Sequence, residues 1–217
     1  MRRTEEAASP DPGQTVSVLP RIDGEQAMPA QRETAMKASV FVGTSLDGYL
    51  ARPDGAYDFL PAGGGEPHGY EEFFASVDAL VIGRNTYEVV LPLTPWSYGT
   101  KPVFVLSTNP LKPPPTGAVV ERMSGTPGEI AATLTHRGFQ HVYVDGGLTI
   151  QSFLRAGLIQ RLTITRVPVL IGRGIPLFGP TERDVMLKHI ATQHYAGGLV
   201  KSEYEVVRPL PRSPDTE

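Results

Sequence analysis

Short continuous apolar runs alternate with short amphipathic stretches along the middle of this chain. Ala79-Leu80-Val81-Ile82 and Val103-Phe104-Val105-Leu106 have the pattern of central strands covered on both faces. Strands are predicted at 37–43, 79–82, 102–106, 118–123, 141–145, 158–167, 185–195 and 199–207. The last of these alternates Val200, Tyr204 and Val206 with Lys201, Glu203 and Glu205, which predicts a half-exposed strand with its charges outward. Between the strands, Thr126-Pro127-Gly128-Glu129 is a capping box with proline at the first helical position, and Gly138 ends that helix. Helices are also predicted at 71–77, from an Asn85 cap after the strand at 79–82, and at 149–155 with Ile150, Phe153 and Leu154 on one face. The order β, α, β, α, β, β, α, β, α and three final strands predicts an α/β fold. Its central sheet is mostly parallel, with antiparallel strands added at the C-terminal end.

Composition changes the picture at the two ends. Glycine (23) and proline (21) together make about a fifth of the 217 residues. Residues 1–35 hold four prolines, six acids and four arginines without an aromatic residue, so a disordered extension is expected there. Residues 208–217 carry three prolines and are expected to be a flexible tail. The expected domain is therefore 36–207, with Met36 as an alternative start.

Charge and cysteine content narrow the chemistry. A net charge of -3 gives no global basic footprint for nucleic acid. Zero cysteines exclude disulfides, thiolate nucleophiles and cysteine zinc sites, and suit a cytoplasmic protein. No apolar run approaches the roughly 20 residues of a membrane span. The histidines (His68, His136, His141, His189, His194) show no metal-ligand spacing, so no metal is expected. Gly-x-Gly-x-x-Gly, Walker A and Gly-x-Ser-x-Gly patterns at the diagnostic positions are absent.

The chemistry-bearing segments sit at strand ends. Gly83-Arg84-Asn85-Thr86 turns from a strand into a helix, whose free amides could hold a phosphate; an ordinary capped turn is the alternative. Asp145-Gly146-Gly147 does the same one unit later, where paired glycines admit a ligand or simply a tight turn. Ser107 and Thr108 follow a third strand, and Gly43 to Tyr49, with Asp47-Gly48, follows the first. Ligands of open α/β sheets bind at carboxyl ends of strands, so these segments could share one crevice.

These strings, with residues 162–178, resemble the dihydrofolate reductase-like fold. Within it they are most similar to the reductase domain of the bifunctional riboflavin-biosynthesis deaminase–reductase, over about 37–207. The resemblance implies a three-layer fold and an NADPH-dependent, metal-free reductase. The substrate would be a small heteroaromatic or carbonyl metabolite, riboflavin-precursor or pteridine-like. It places the pyrophosphate at Gly83 and Thr86, and the adenosine 2′-phosphate at Arg84, Ser107 and Thr108. Gly146, Gly147, Leu148 and Thr149 would close the cofactor's other flank, and Val42, Gly43 and Leu46 would border the nicotinamide. On the substrate side it implies Asp47 as a polar contact and Thr165 as the residue orienting water or substrate. No cysteine-ligated deaminase unit is present. The helix before Ala79 turns Phe73, Phe74 and Val77 inward instead of a carboxylate, which speaks against folate; Arg166 and Arg173 are the bases left for a sugar phosphate. A non-catalytic binding module on the same fold is the alternative reading. A homodimer is the default assembly expected of such a protein.

Overall fold

The computed structural model describes residues 36–61 and 68–207; the extension and tail expected at 1–35 and 208–217 lie outside the described residues. The strands are β1 (Lys37–Ser45), β2 (Tyr49–Ala51), β3 (Ala79–Gly83), β4 (Val103–Leu106), β5 (Val120–Met123), β6 (His141–Asp145), β7 (Arg161–Val167), β8 (Ile175–Pro176), β9 (Leu187–His194) and β10 (Val200–Val206). The helices are α1 (Tyr70–Ser76), α2 (Arg84–Val90), α3 (Pro127–His136) and α4 (Gly147–Arg155). Eight strands form one sheet in the order β5-β4-β3-β6-β1-β7-β10-β9. The first six in that order are parallel, and β10 and β9 join antiparallel.

Strand parity builds the layers. Ala79 and Val81 face one side of β3, Leu80 and Ile82 the other, and all four are wholly buried. One side packs Ala38, Val40, Val42, Val81, Val142, Val144, Leu162 and Ile164 against Ile130 and Leu134 of α3 and Ile150 and Phe153 of α4. The other packs Leu80, Ile82, Val103, Val105 and Tyr143 against Tyr87 of α2, with Phe41 and the α1 residues Phe73 and Phe74 at its margin. Full burial of each such side chain stabilises by about 1.5–3 kcal/mol, which is why the continuous apolar runs occupy the centre. The result is three layers around a mostly parallel sheet with an antiparallel C-terminal edge.

The capping box forms as its spacing predicts. Thr126 Oγ1 accepts from Glu129 N at 3.3 Å, and Glu129 Oε2 accepts from Thr126 N at 2.7 Å. Three expectations shift. The cap of α2 is Gly83, not Asn85, which sits inside the first turn. Helix α4 starts at Gly147, two residues earlier than predicted, because Gly146 takes the cap position. The polar face predicted for β10 is not uniformly in solvent, since Lys201 is only 7% exposed. The ribbon β2–β8, too short for any periodicity to reveal, pairs Tyr49 with Pro176 and Ala51 with Ile175.

Candidate functional site

Because β3 and β6 are neighbours, with Ile82 paired to Asp145, the turns that follow them meet. A Cβ on Gly146 would collide with Thr86 Oγ1 and lie 3.8 Å from Gly83 N, and a Cβ on Gly83 would lie 2.9 Å from Thr149 Oγ1. Gly83, Thr86, Gly146 and Thr149 therefore form one packed corner. Gly146 has φ 91°, a left-handed conformation that costs other residues about 1–2 kcal/mol. Helices α2 and α4 both begin here, and helix first-turn amides lack intrahelical acceptors. The corner thus concentrates donors and positive dipole ends where side chains have been removed.

Along the sheet from this corner, Gly83 pairs with Leu106 and Leu106 with Met123, so the ends of β3, β4 and β5 are level. Arg84 is exposed and its guanidinium has no partner among the described residues. Ser107 Oγ is engaged in its own turn, accepting from Asn109 N at 3.1 Å and donating to Asn109 O at 2.8 Å. Arg122, which sequence reasoning missed, donates to the carbonyl oxygens of Ser107 (3.4 Å) and Thr108 (3.2 Å). It brings a second cation to the loop after β4. Its signal in the sequence was only a charge inside a weak strand pattern.

Other candidates have different surroundings. Val42 points into the core on the α3–α4 side. A Cβ on Gly43 would lie 2.9 Å from Leu60 Cδ2, so the Leu60 side chain covers β1 on the α1 side. Leu46 and Leu148 are exposed, at 58% and 76%. Gly147 is packed beneath the short ribbon, where a Cβ would lie 2.9 Å from Ile175 Cγ2 and 3.2 Å from Pro176 O. The Asp47 carboxylate accepts from Gly172 N at 2.7 Å and Ile171 N at 3.2 Å, tying the turn after β1 to the loop after β7. The Ser45 hydroxyl, followed by those amides, holds its pKa below the usual carboxylate range. Asp47 is thus an ionised anchor with its acceptors in use. Arg166 shares the parity of Leu162 and Ile164, on the side of the sheet opposite Thr165, and Arg173 lies in the loop before β8.

The α1 side of the sheet holds a carboxyl group whose position sequence reasoning passed over in favour of the glycines beside it. Asp145 shares parity with Tyr143, below Tyr70 of α1, whose ring lies 6.4 Å from that of Tyr143. Its Oδ1 accepts from Gly146 N at 2.7 Å. Burial pushes the Asp145 pKa up to about 6, against the opposing effects of the Gly146 amide and the Tyr143 hydroxyl. Burial, then the nearby Asp145 charge, pushes Tyr70 up to about 12. The available signal was parity, because an apolar strand ending His141-Val-Tyr-Val-Asp145 must direct its last carboxyl to the Tyr143 face. Thr165 lies on this same face, 8% exposed, and its Oγ1 has no hydrogen-bond partner. Among the described residues no group of His, Cys, Asp or Glu could hold a metal ion, and no helix is long and apolar enough to cross a membrane.

The turns after β3 and β6 thus meet at the carboxyl ends of central strands, with the Asp145 carboxyl beside them. The family model of the RibD C-terminal domain matches residues 37–201. A candidate riboflavin biosynthesis protein of Shewanella sp. PV-4 is 38% identical and covers 80% of this chain and 100% of its own, with a TM-score of 0.73. The uncharacterized protein YwjB of Bacillus subtilis (strain 168) is 30% identical over 171 residues, 77% of this chain and 97% of its own. Dihydrofolate reductase of Enterococcus faecalis, solved in complex with NADP(H), shares the fold at a TM-score of 0.55 and 19% identity, covering 80% of this chain and 97% of its own. The chain belongs to the RibD C-terminal domain family and is built on the dihydrofolate reductase-like fold.

Proposed function

We propose that this protein is an NADPH-dependent reductase of a small heteroaromatic or carbonyl metabolite, of the riboflavin-precursor or pteridine-like class. The observation that carries the reading is the corner where Gly83, Thr86, Gly146 and Thr149 meet beside the Asp145 carboxyl. The residues fit a dinucleotide in their donor set, since two helices begin at this corner with unpaired first-turn amides and the hydroxyls of Thr86 and Thr149 lie beside them. The Gly83–Thr86 turn and Thr149 would hold the pyrophosphate, and Arg84 with the Ser107–Thr108 loop the 2′-phosphate. Gly43 and Leu46 would border the nicotinamide, with Gly147 and Leu148 on the flank of the same crevice. NADPH, when bound, supplies a hydride. Asp145 then holds the proton that the reduced substrate must also receive. With its pKa near 6, Asp145 is protonated about a hundredfold more often at pH 7 than an ordinary carboxyl of pKa 3.8. Asp47, ionised and engaged by amides, serves this role less well and instead fixes the loop that borders the crevice.

Single-turnover loss of the reduced-nicotinamide absorbance, with pteridine- and pyrimidine-type carbonyl compounds, tests the reading. A substrate that oxidises bound NADPH is expected; binding without turnover across the panel would favour the non-catalytic module. Arg84→Ala is expected to weaken NADPH about tenfold, the worth of one charge-assisted hydrogen bond, and NADH less than twofold. Equal losses for both cofactors would remove Arg84 from the 2′-phosphate.

The same reading includes a cytoplasmic homodimer. Among the described residues β9 is one of the two edges of the sheet, exposed along nearly its whole length, with Leu187 at 39% and Ile190 at 41% exposure. Such an edge calls for cover. Sedimentation at twice the 23.5 kDa chain mass is expected, falling to one mass in Ile190→Asp. A wild-type monomer at micromolar concentration contradicts it.

A further inference from the structure

Tyr143 and Asp145 stand two residues apart on β6, on the α1 side of the sheet, and Tyr143 is buried. The Tyr143 hydroxyl donates to Phe41 O of the neighbouring strand β1 at 2.7 Å. The same hydroxyl is within hydrogen-bonding reach of the Asp145 carboxyl. A phenol has one proton and can give it to only one of these acceptors at a time. While that proton is on Phe41 O, the Tyr143 oxygen offers Asp145 a lone pair. A protonated carboxyl can donate to the lone pair; an ionised one is repelled by it.

The surroundings leave the exchange to these two side chains. Asp145 Oδ1 accepts from Gly146 N at 2.7 Å. The other titratable groups that face the carboxyl are Tyr70 of α1 and Tyr98 of the segment before β4. Burial above all keeps both neutral, Tyr70 with a pKa of about 12 and Tyr98 higher still. The cation of this face, Lys201, is three strands away in the order β6-β1-β7-β10, with the carboxylates of Glu203 and Glu72 beside it. Tyr143 itself stays protonated, because burial, then the Asp145 charge, holds its pKa well above the usual tyrosine value.

The geometry points to Tyr143 as a positioning residue whose hydroxyl changes partner with the charge of Asp145: it holds the Phe41 carbonyl while Asp145 carries a proton, and turns to the carboxylate once that proton has left. This rests on the reading of Asp145 as the proton donor. In that step the reduced nicotinamide supplies the hydride to a substrate carbon. The Asp145 O–H bond breaks, its proton bonds to the substrate atom next to that carbon, and the electron pair stays on the carboxylate, which water later reprotonates. Tyr143 keeps its own proton and only its C–O–H torsion changes. A neutral hydrogen bond is exchanged for a charge-assisted one, about twice as strong. The carboxylate therefore gains a donor as it forms, and Tyr143 acts on the substrate only through Asp145.

The test follows two carbon-13 labels in the full chain from about pH 4 to pH 8: the ring carbon bearing the Tyr143 hydroxyl, and the Phe41 carbonyl. Both signals are expected to move with one midpoint near 6, that of Asp145, and to stay flat in Asp145→Asn. In Tyr143→Phe the Phe41 carbonyl is expected to stay flat as well. A Phe41 carbonyl that does not titrate in the wild type, or still titrates in Tyr143→Phe, overturns the exchange; the wild-type arm decides alone if the variant does not fold. A merely structural Tyr143 would give a lower melting temperature on substitution with no wild-type titration of the carbonyl. In turnover, Tyr143→Phe is expected to lower kcat about tenfold, the worth of one charge-assisted hydrogen bond, with KM changed less than twofold. An unchanged kcat overturns the positioning role. A wild type without turnover strikes the reductase reading, and the carbon-13 titrations still decide the exchange.

Discussion

Asp145→Asn is expected to lower turnover by about 10²–10⁴-fold, the usual worth of a positioned general acid, while making the protein more stable above pH 6. The two effects share a cause. Burial lifts the Asp145 pKa from 3.8 to about 6, so between those values the folded chain holds a proton that the unfolded chain has released. Stability falls as pH rises through that window, and the cost is complete above about pH 6. A shift of about two units corresponds to at most about 3 kcal/mol, less in practice because the residue is only partly buried. Asparagine removes the charge yet keeps an oxygen that can accept from Gly146 N. Denaturant unfolding of both proteins from pH 4 to pH 8 should give curves that coincide at the acid end and separate as pH rises. In the wild type, turnover should decline as pH rises through about 6, as the proton donor is lost. A variant that is less stable at pH 8, or as active as the wild type, contradicts the assignment.

Gly146→Ala is expected to destabilise the protein by about 2–3 kcal/mol and to weaken NADPH by more than tenfold. Part of the loss comes from φ 91°, which an L-residue adopts with strain. The rest comes from the new methyl group, which meets Thr86 Oγ1 and forces apart the corner where α2 and α4 begin. Removing the obstacle separates these parts. In Gly146→Ala combined with Thr86→Ala, the nearest obstacle becomes the Cβ of residue 86 at 3.4 Å, so the double variant should be more stable than the sum of the singles. Additive losses would mean that the two turns are not in contact in solution.

Much of the architecture was legible because the core strands carry it openly. Ala79 to Ile82 and Val103 to Leu106 are apolar at successive positions, and only strands buried on both faces need that. The Thr126–Glu129 box announced its helix through a reciprocal pair of hydrogen bonds. The β2–β8 ribbon was not legible, since strands of three and two residues have no period to detect.

The site divided along a similar line. Glycines at strand ends are local signals, and Gly83 and Gly146 were found that way. Asp145, Arg122 and Lys201 draw their surroundings from strand order, which no local pattern records. Lys201 is the clearest case. Its alternation with Val200 and Tyr204 reads as a solvent face, but antiparallel addition of β10 to β7 places it over Thr165 and under the backbone at His68. Asp47-Gly48 was conspicuous as a turn, and its carboxylate is consumed by amides 124 and 125 residues away in sequence.

The central claim is that the corner uniting the turns after β3 and β6 holds a reduced dinucleotide phosphate. Fluorescence titration of the purified protein with NADPH tests it most directly, run in parallel on the wild type and Gly146→Ala. Saturable binding in the micromolar range, about -8 kcal/mol, is predicted for the wild type, with a loss of more than tenfold in the variant. Absence of saturation up to about millimolar NADPH, about -4 kcal/mol, or equal affinity in the two proteins, would contradict it.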